Sequence, residues 1–285
     1  MISDKKQDQQ ADNGSTAILA GRDVNYQGLS VAEVKEICIL VLRDNFPQLR
    51  EDARITAEKH VKTFADLLEN RIVNDAASIV LEKFREPDVQ ASINDAVQAS
   101  ARKGQAANPE ILSTLISERV ARNTNDYKDI VLSEAVQVVP RLTRSQICLL
   151  SFIHFVKSVA VQNLQNMGGL DPFGRQALLF CRPGYELSQS QWQHIQYAGA
   201  ASINYLLGGD IYEALEEGTY KYLAPPEGIS FKDAIAHQAP SYGSILDQFN
   251  SENLFRVELT SVGQAIAIAN ISNFIGKLDY TIWLK

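Results

Sequence analysis

The chain has 285 residues, 45% of them hydrophobic and 21% charged, with a net charge of −7. A sizeable core can form, and composition does not condemn the bulk of the chain to disorder. The acidic balance argues against a broad basic surface for duplex DNA, because neutralising phosphates takes clustered Lys and Arg.

Residues 1–13 (MISDKKQDQQADN) are polar and predict a disordered tail. Residues 14–29 read as a short β segment or β-arc. Thr16-Ala-Ile-Leu-Ala is apolar, Gly21 breaks it, Asp23-Val-Asn-Tyr alternates and Gly28 closes it. Ile18, Leu19, Arg22, Asp23, Val24 and Tyr26 are the candidate interaction residues. Two isolated strands are marginal in water, so this piece should pair with its own helical domain or with a second copy.

Residues 30–166 read as a helical domain. Ser30-Val-Ala-Glu33 is a capping box, and Val31, Val34, Ile37, Cys38, Val41 and Leu42 recur at helical spacing behind it. Pro47 punctuates. A helical pattern through Leu49, Ala53, Thr56, His60, Phe64, Leu67, Leu68 and Ile72 then continues to Phe84, with a bend expected near Asn74 or Asp75. Pro87 starts the next helix and Gly104 ends it. Asn108-Pro-Glu is a further start, with Asn108 as N-cap. A helix from Asp126 stops at Pro140. Thr143 caps an apolar helix expected to run to Val161. Its run from Ile147 is about 15 residues and holds His154 and Lys157, short of the roughly 20 apolar residues of a membrane span.

Residues 167–285 read as a smaller α+β unit, less dense in charge, with a soft boundary near Met167-Gly-Gly. Asp171-Pro-Phe-Gly predicts a turn. Ser188-Gln-Ser-Gln is a capping box whose helix is expected to reach Leu207, through the small residues Ala198 to Ser202. Short helices follow at Ile211–Glu217, Ser230–Ala239 and Tyr242–Phe249. The end predicts a strand (Leu254–Leu259), a helix from Thr260 and a final strand (Leu278–Leu284). The fold class is therefore mainly α: an N-terminal β-arc and helical array, then an α/β unit.

The Leu259-Thr-Ser-Val-Gly ending resembles the last helix and wing of winged-helix domains. Between Thr260 and Ile275 there is no Lys or Arg, so that helix cannot read a groove by charge, and nucleic acid is not the expected partner.

Chemistry is sparse. His154 lies in an apolar run and reads as a core residue bonded to a backbone carbonyl; His194 and His237 read as exposed. Cys38 and Cys148 sit on apolar helical faces, and Cys181, beside Arg182, is the thiol to test for reactivity. Three widely spaced cysteines argue against a disulfide framework, and the start of the chain lacks a secretory pattern, so a reducing cytoplasm is the expectation. Asp171–Arg175 and Gly208-Gly-Asp210 match no phosphate loop. Glu213, Glu216 and Glu217 form a solvated face. Catalytic, cofactor and metal residues are none on this reading.

The segment Gly14-Ser-Thr-Ala-Ile-Leu-Ala-Gly-Arg-Asp-Val24 resembles the "QAGRDI"-type segment near the N-termini of many bacterial proteins of conflict and phage-defence loci, with Leu19 in place of the usual Gln. With the continuation through Ile37 and the aromatic ending, the chain looks like a member of an uncharacterised bacterial family. The resemblance implies a bacterial cytoplasmic protein of defence or stress response and transfers no catalytic residue. The expected function is a non-enzymatic sensor or scaffold that works by protein–protein contact as a homo-oligomer, with no membrane partner. The alternatives are a hydrolase or nuclease effector using His154, His194 or His237, and a winged-helix-like regulator.

Overall fold

The computed structural model describes residues 30–45, 51–122 and 125–284. The β segment at 14–29 and all six candidate interaction residues lie outside the described residues, as does Pro47.

Twelve helices are described, and the protein is mainly α. The N-terminal helices are α1 (Val31–Asn45), α2 (Glu51–Asn74), α3 (Pro87–Lys103), α4 (Pro109–Arg119), α5 (Asp126–Val138) and α6 (Arg144–Ser158). Then come α7 (Asp171–Cys181), α8 (Gln189–Tyr197), the four-residue α9 (Ile211–Ala214), α10 (Phe231–Gln238), α11 (Pro240–Ser251) and α12 (Ser261–Ile275). Two three-residue strands, β1 (Ala201–Ile203) and β2 (Val257–Leu259), pair antiparallel.

The starts legible in sequence are built as their residue types require. The Ser30 N–H donates to Glu33 Oε2 at 2.6 Å, and the Glu33 N–H donates to Ser30 Oγ at 3.3 Å. Reciprocal boxes open α6 (Thr143 with Gln146) and α8 (Ser188 with Gln191). Each satisfies N–H groups that the first helical turn leaves without partners. Asn108 differs from expectation. It precedes α4 in the left-handed region (φ 57°), and its side chain donates to the Leu142 carbonyl at 3.4 Å instead of capping. Asn tolerates that backbone better than most residues, so the position ties α4 to the turn before α6.

Three helices are buried on every side: α4 save Glu110, α6 over Gln146–Val156, and α12 over Val262–Ile271 save Gln264. The α12 helix has no charged residue, and it packs against α4, α5, α6 and α7. The amphipathic α2 and α3 cover α4, with α1 packed on both of them, while α7, α8 and α11 cover α6. One hydrophobic core runs from Val34 to Leu284. A last helix this buried cannot lie in a nucleic-acid groove.

Several boundaries differ from the sequence reading. The helical pattern after Glu51 does not bend at Asn74 but stops there, and Ala53 and Thr56 are exposed because the buried stripe is Ala57, Val61, Phe64, Ala65, Leu68 and Ile72. The α6 helix ends at Ser158, three residues early. Asp171-Pro-Phe-Gly is the first turn of α7: Asp171 Oδ1 accepts the Ser241 N–H at 2.8 Å, and a Cβ at Gly174 would overlap the Tyr242 backbone. The first half of the Leu254–Leu259 strand is a 3₁₀ turn, and the final strand is replaced by a 3₁₀ turn at Tyr280–Ile282. Asp279 caps that turn by accepting the Thr281 N–H, and with no neighbouring strand the alternating side chains cannot form a ladder.

Candidate functional site: an open strand edge

The small sheet exists because α8 ends ten residues before the sequence suggests. Gly199 sits at φ +81°, its N–H bonds to the Gln196 carbonyl at 3.0 Å, and the Ala200 N–H bonds to Ile195 at 3.1 Å. This is a Schellman stop, which favours glycine because the left-handed conformation carries no Cβ penalty. The chain then leaves as β1. The stop is welded to α12: Thr260 Oγ1 donates to the Gly199 carbonyl at 2.6 Å, and a Cβ at Gly263 would overlap the Ala200 carbonyl oxygen.

Register decides which edge is open. Ser202 faces Glu258; the Asn204 N–H donates to Arg256 and the Thr260 N–H to Ala200. Hydrogen-bonded and non-hydrogen-bonded pairs alternate in an antiparallel ladder, so Ala201 and Ile203 turn their amides away from β2, and Val257 and Leu259 turn theirs away from β1. The outer side of β2 is closed by Lys157 of α6. Its Nζ donates to the carbonyls of Phe255 (3.0 Å) and Val257 (2.8 Å) and to Glu258 Oε1 (2.8 Å). On the β1 side, the outward amides of Ala201 and Ile203 have no partner among the described residues; Ala201 is buried, so the reachable part of this edge is at Ile203.

Exposed apolar side chains lie close to β1 in the chain. Tyr197 is 86% exposed, Tyr205 64% and Leu206 96%. The Arg256 guanidinium lies 5.8 Å from the Trp192 ring and 5.6 Å from the Tyr205 ring. Stacking of this kind contributes about 0.5–1 kcal/mol at exposed sites and orders the ring it touches. A strand edge with unpaired amides and flanking apolar side chains is a template for another strand.

The residues singled out for chemistry are dispersed. His60 lies beneath Gly104 with Nδ1 3.3 Å from the Ala101 carbonyl; His194 is half-buried, its Nδ1 3.1 Å from Gln146 Nε2; His237 is exposed. His154 is buried in α6 as expected, but neither ring nitrogen has the carbonyl partner that was expected. The Trp283 ring packs edge-on against it at 5.0 Å, and burial lowers its pKa to about 4. No hydrogen bond or ion pair joins any histidine to a carboxylate among the described residues. Cys181, the thiol singled out for a reactivity test, is fully buried, and burial pushes its pKa well above the ordinary value, so Arg182 does not activate it. Asp210 caps α9 by accepting the Tyr212 N–H at 2.7 Å; Glu213, Glu216 and Glu217 are exposed. No group of three or more His, Cys, Asp or Glu placed to hold a metal occurs among the described residues. No described helix is long and apolar enough to cross a membrane.

Sequence reading missed Ile203, Tyr205, Leu206, Arg256 and Lys157. The signal available was Tyr197-Ala-Gly199, a helix stop, followed by β-branched Ile203 and Tyr205.

The chain belongs to an uncharacterised protein family, whose model matches residues 28–228 and 224–284. No curated protein matches it. No solved structure matches it either.

Proposed function

We propose that this protein is a non-enzymatic sensor or scaffold of the bacterial cytoplasm that works by protein–protein contact and self-association. The open β1 edge is the docking strip, and residues 15–27 of a second copy are the strand that fills it. The observation that carries this reading is the outward amide of Ile203, which has no partner among the described residues, followed in the chain by the exposed Tyr205 and Leu206. The occupant follows from sequence: Thr16–Ala20 is apolar and Asp23–Tyr26 alternates, so either stretch can add backbone hydrogen bonds to an edge. The resemblance of residues 14–24 to segments of bacterial conflict proteins supports a setting in defence or stress response.

The test is solution mass by light scattering. The full chain, a chain lacking residues 1–28 and the Leu206→Glu variant are compared. An assembly that falls to monomer in both altered chains is expected. Leu206 is almost wholly exposed, so its replacement leaves folding intact. Equal masses for all three chains would remove the proposal.

A further inference from the structure

A second feature stands apart from the strand edge. A groove of about 470 Å³ lies between the last turn of α3, the end of α5 and the 3₁₀ turn Val139–Arg141 that follows it. Three exposed cations line it: Arg102 and Lys103 from α3, and Arg141 from the turn. Among the described residues the lining holds one carboxylate, Asp95, which accepts a hydrogen bond from Gln137 Nε2 at 3.1 Å.

Charge narrows the chemistry. Setting Asp95 against Arg102 leaves Lys103 and Arg141, and neither of those two is ion-paired among the described residues. Lys103 reaches across the groove and donates to the Pro140 carbonyl, which uses one of its three N–H groups. The Arg141 guanidinium makes no hydrogen bond to a described residue. Glu134 and Arg144, both exposed, lie outside the lining and carry opposite charges. The C-terminal ends of α3 and α5 offset about half a charge each, so the groove stays positive on that count too. This excess of one to two positive charges sits in a chain whose net charge is −7. Like charges gathered round one groove repel, and a bound anion relieves the repulsion.

A phosphate monoester suits the donors best. It carries about −1.5 to −2 charge at pH 7 and three acceptor oxygens. The planar guanidinium fork of Arg141 matches two of them, and the Lys103 ammonium supplies a compact charge to the third. The groove is larger than a phosphate and falls within the roughly 300–1,000 Å³ of small-molecule sites. Half-buried Ala99 and Pro140 give it apolar wall, and the Gln137 amide gives it a polar edge. We propose that this groove binds a soluble phosphomonoester of sugar or nucleotide size, its phosphate held by Lys103 and Arg141 and its body laid against Ala99 and Pro140.

The test is calorimetric titration of the full chain at low ionic strength with ribose 5-phosphate and AMP. Ribose, adenosine and acetate are the soluble controls, and phosphatidylcholine vesicles with and without phosphatidic acid test for a lipid headgroup. At least one of the two phosphomonoesters should bind saturably, and its phosphate-free counterpart should not. Lys103→Gln and Arg141→Gln alter exposed side chains, so both should fold, and each should weaken binding about fivefold or more. Asp95→Asn removes the opposing carboxylate and should tighten binding. Lys221→Gln, the same charge change at an exposed position outside the groove, should leave binding unchanged. Four results overturn the proposal: neither phosphomonoester binds saturably; Lys221→Gln weakens binding as much as Arg141→Gln, which marks diffuse attraction; acetate binds as tightly; or phosphatidic acid vesicles bind and the soluble esters do not.

Discussion

Acidification should destabilise this protein through His154. The imidazole is buried in α6 against Trp283, with neither nitrogen hydrogen-bonded to a described residue, and burial alone lowers its pKa from 6.5 to about 4. Between those two values the unfolded chain holds a proton that the folded chain does not. Stability therefore rises with pH across this window; it is complete above about 6.5 and lost as pH falls towards 4. At 1.36 kcal/mol per pKa unit, the full effect is about 3 kcal/mol, of which about 2 falls between pH 7 and pH 5. That is a large share of the 5–15 kcal/mol that holds a typical domain together. The assay is urea unfolding at half-unit steps from pH 4.5 to 7.5, followed by tryptophan fluorescence and circular dichroism. The comparison is His154→Leu, a near-isosteric apolar replacement. Carboxylates titrate in both proteins, so the difference between the two pH curves isolates His154. The variant should lose stability by about 2 kcal/mol less than wild type between pH 7 and 5. Parallel curves would refute the reasoning, because they would mean that His154 carries the same proton folded and unfolded.

Other changes test other contacts. Gly263→Ala places a methyl against the Ala200 carbonyl oxygen, at the weld between the α8 stop and α12; it should cost about 3 kcal/mol, read by denaturant midpoint, because backbone on both sides cannot yield. Glu118→Gln removes the carboxylate that pairs with both Lys277 and the buried Lys128 and should cost about 3–5 kcal/mol at neutral pH in the same assay. All three thiols are buried, with Cys38 pushed up to about 12 and Cys148 and Cys181 also raised, so a disulfide-exchange reagent should titrate none of them in the native protein and all three in denaturant.

Legibility in the sequence followed the range of the interaction. Ser30–Glu33, Thr143–Gln146 and Ser188–Gln191 are three-residue reciprocal bonds, and each forms where its residue types announce it. The apolar run from Ile147 is a buried helix because its side chains are apolar on every face. The reading failed where a local signal was overridden or overlooked. The small residues after Tyr197 look like helix, yet Gly199 ends it and β1 is stabilised by a strand more than fifty residues away. Leu278–Leu284 alternates like a strand, but no neighbour offers it a ladder, so Trp283 and Tyr280 pack inwards from a 3₁₀ turn. The Arg71–Asn273 hydrogen bond carries no motif either, because its partners meet only when α2 and α12 are packed.

By itself the sequence determined that this chain would be mainly helical, where most of its helices begin, and that its core would hold α6. Caps and apolar periodicity act within a few residues and need no partner. Tertiary structure decided the two-stranded sheet and which of its edges stays open. It also decided that His154 has no hydrogen-bond partner among the described residues and that Glu118 holds both Lys128 and Lys277. Each of those depends on distant elements being brought within hydrogen-bonding or Coulomb range, which no local spacing encodes.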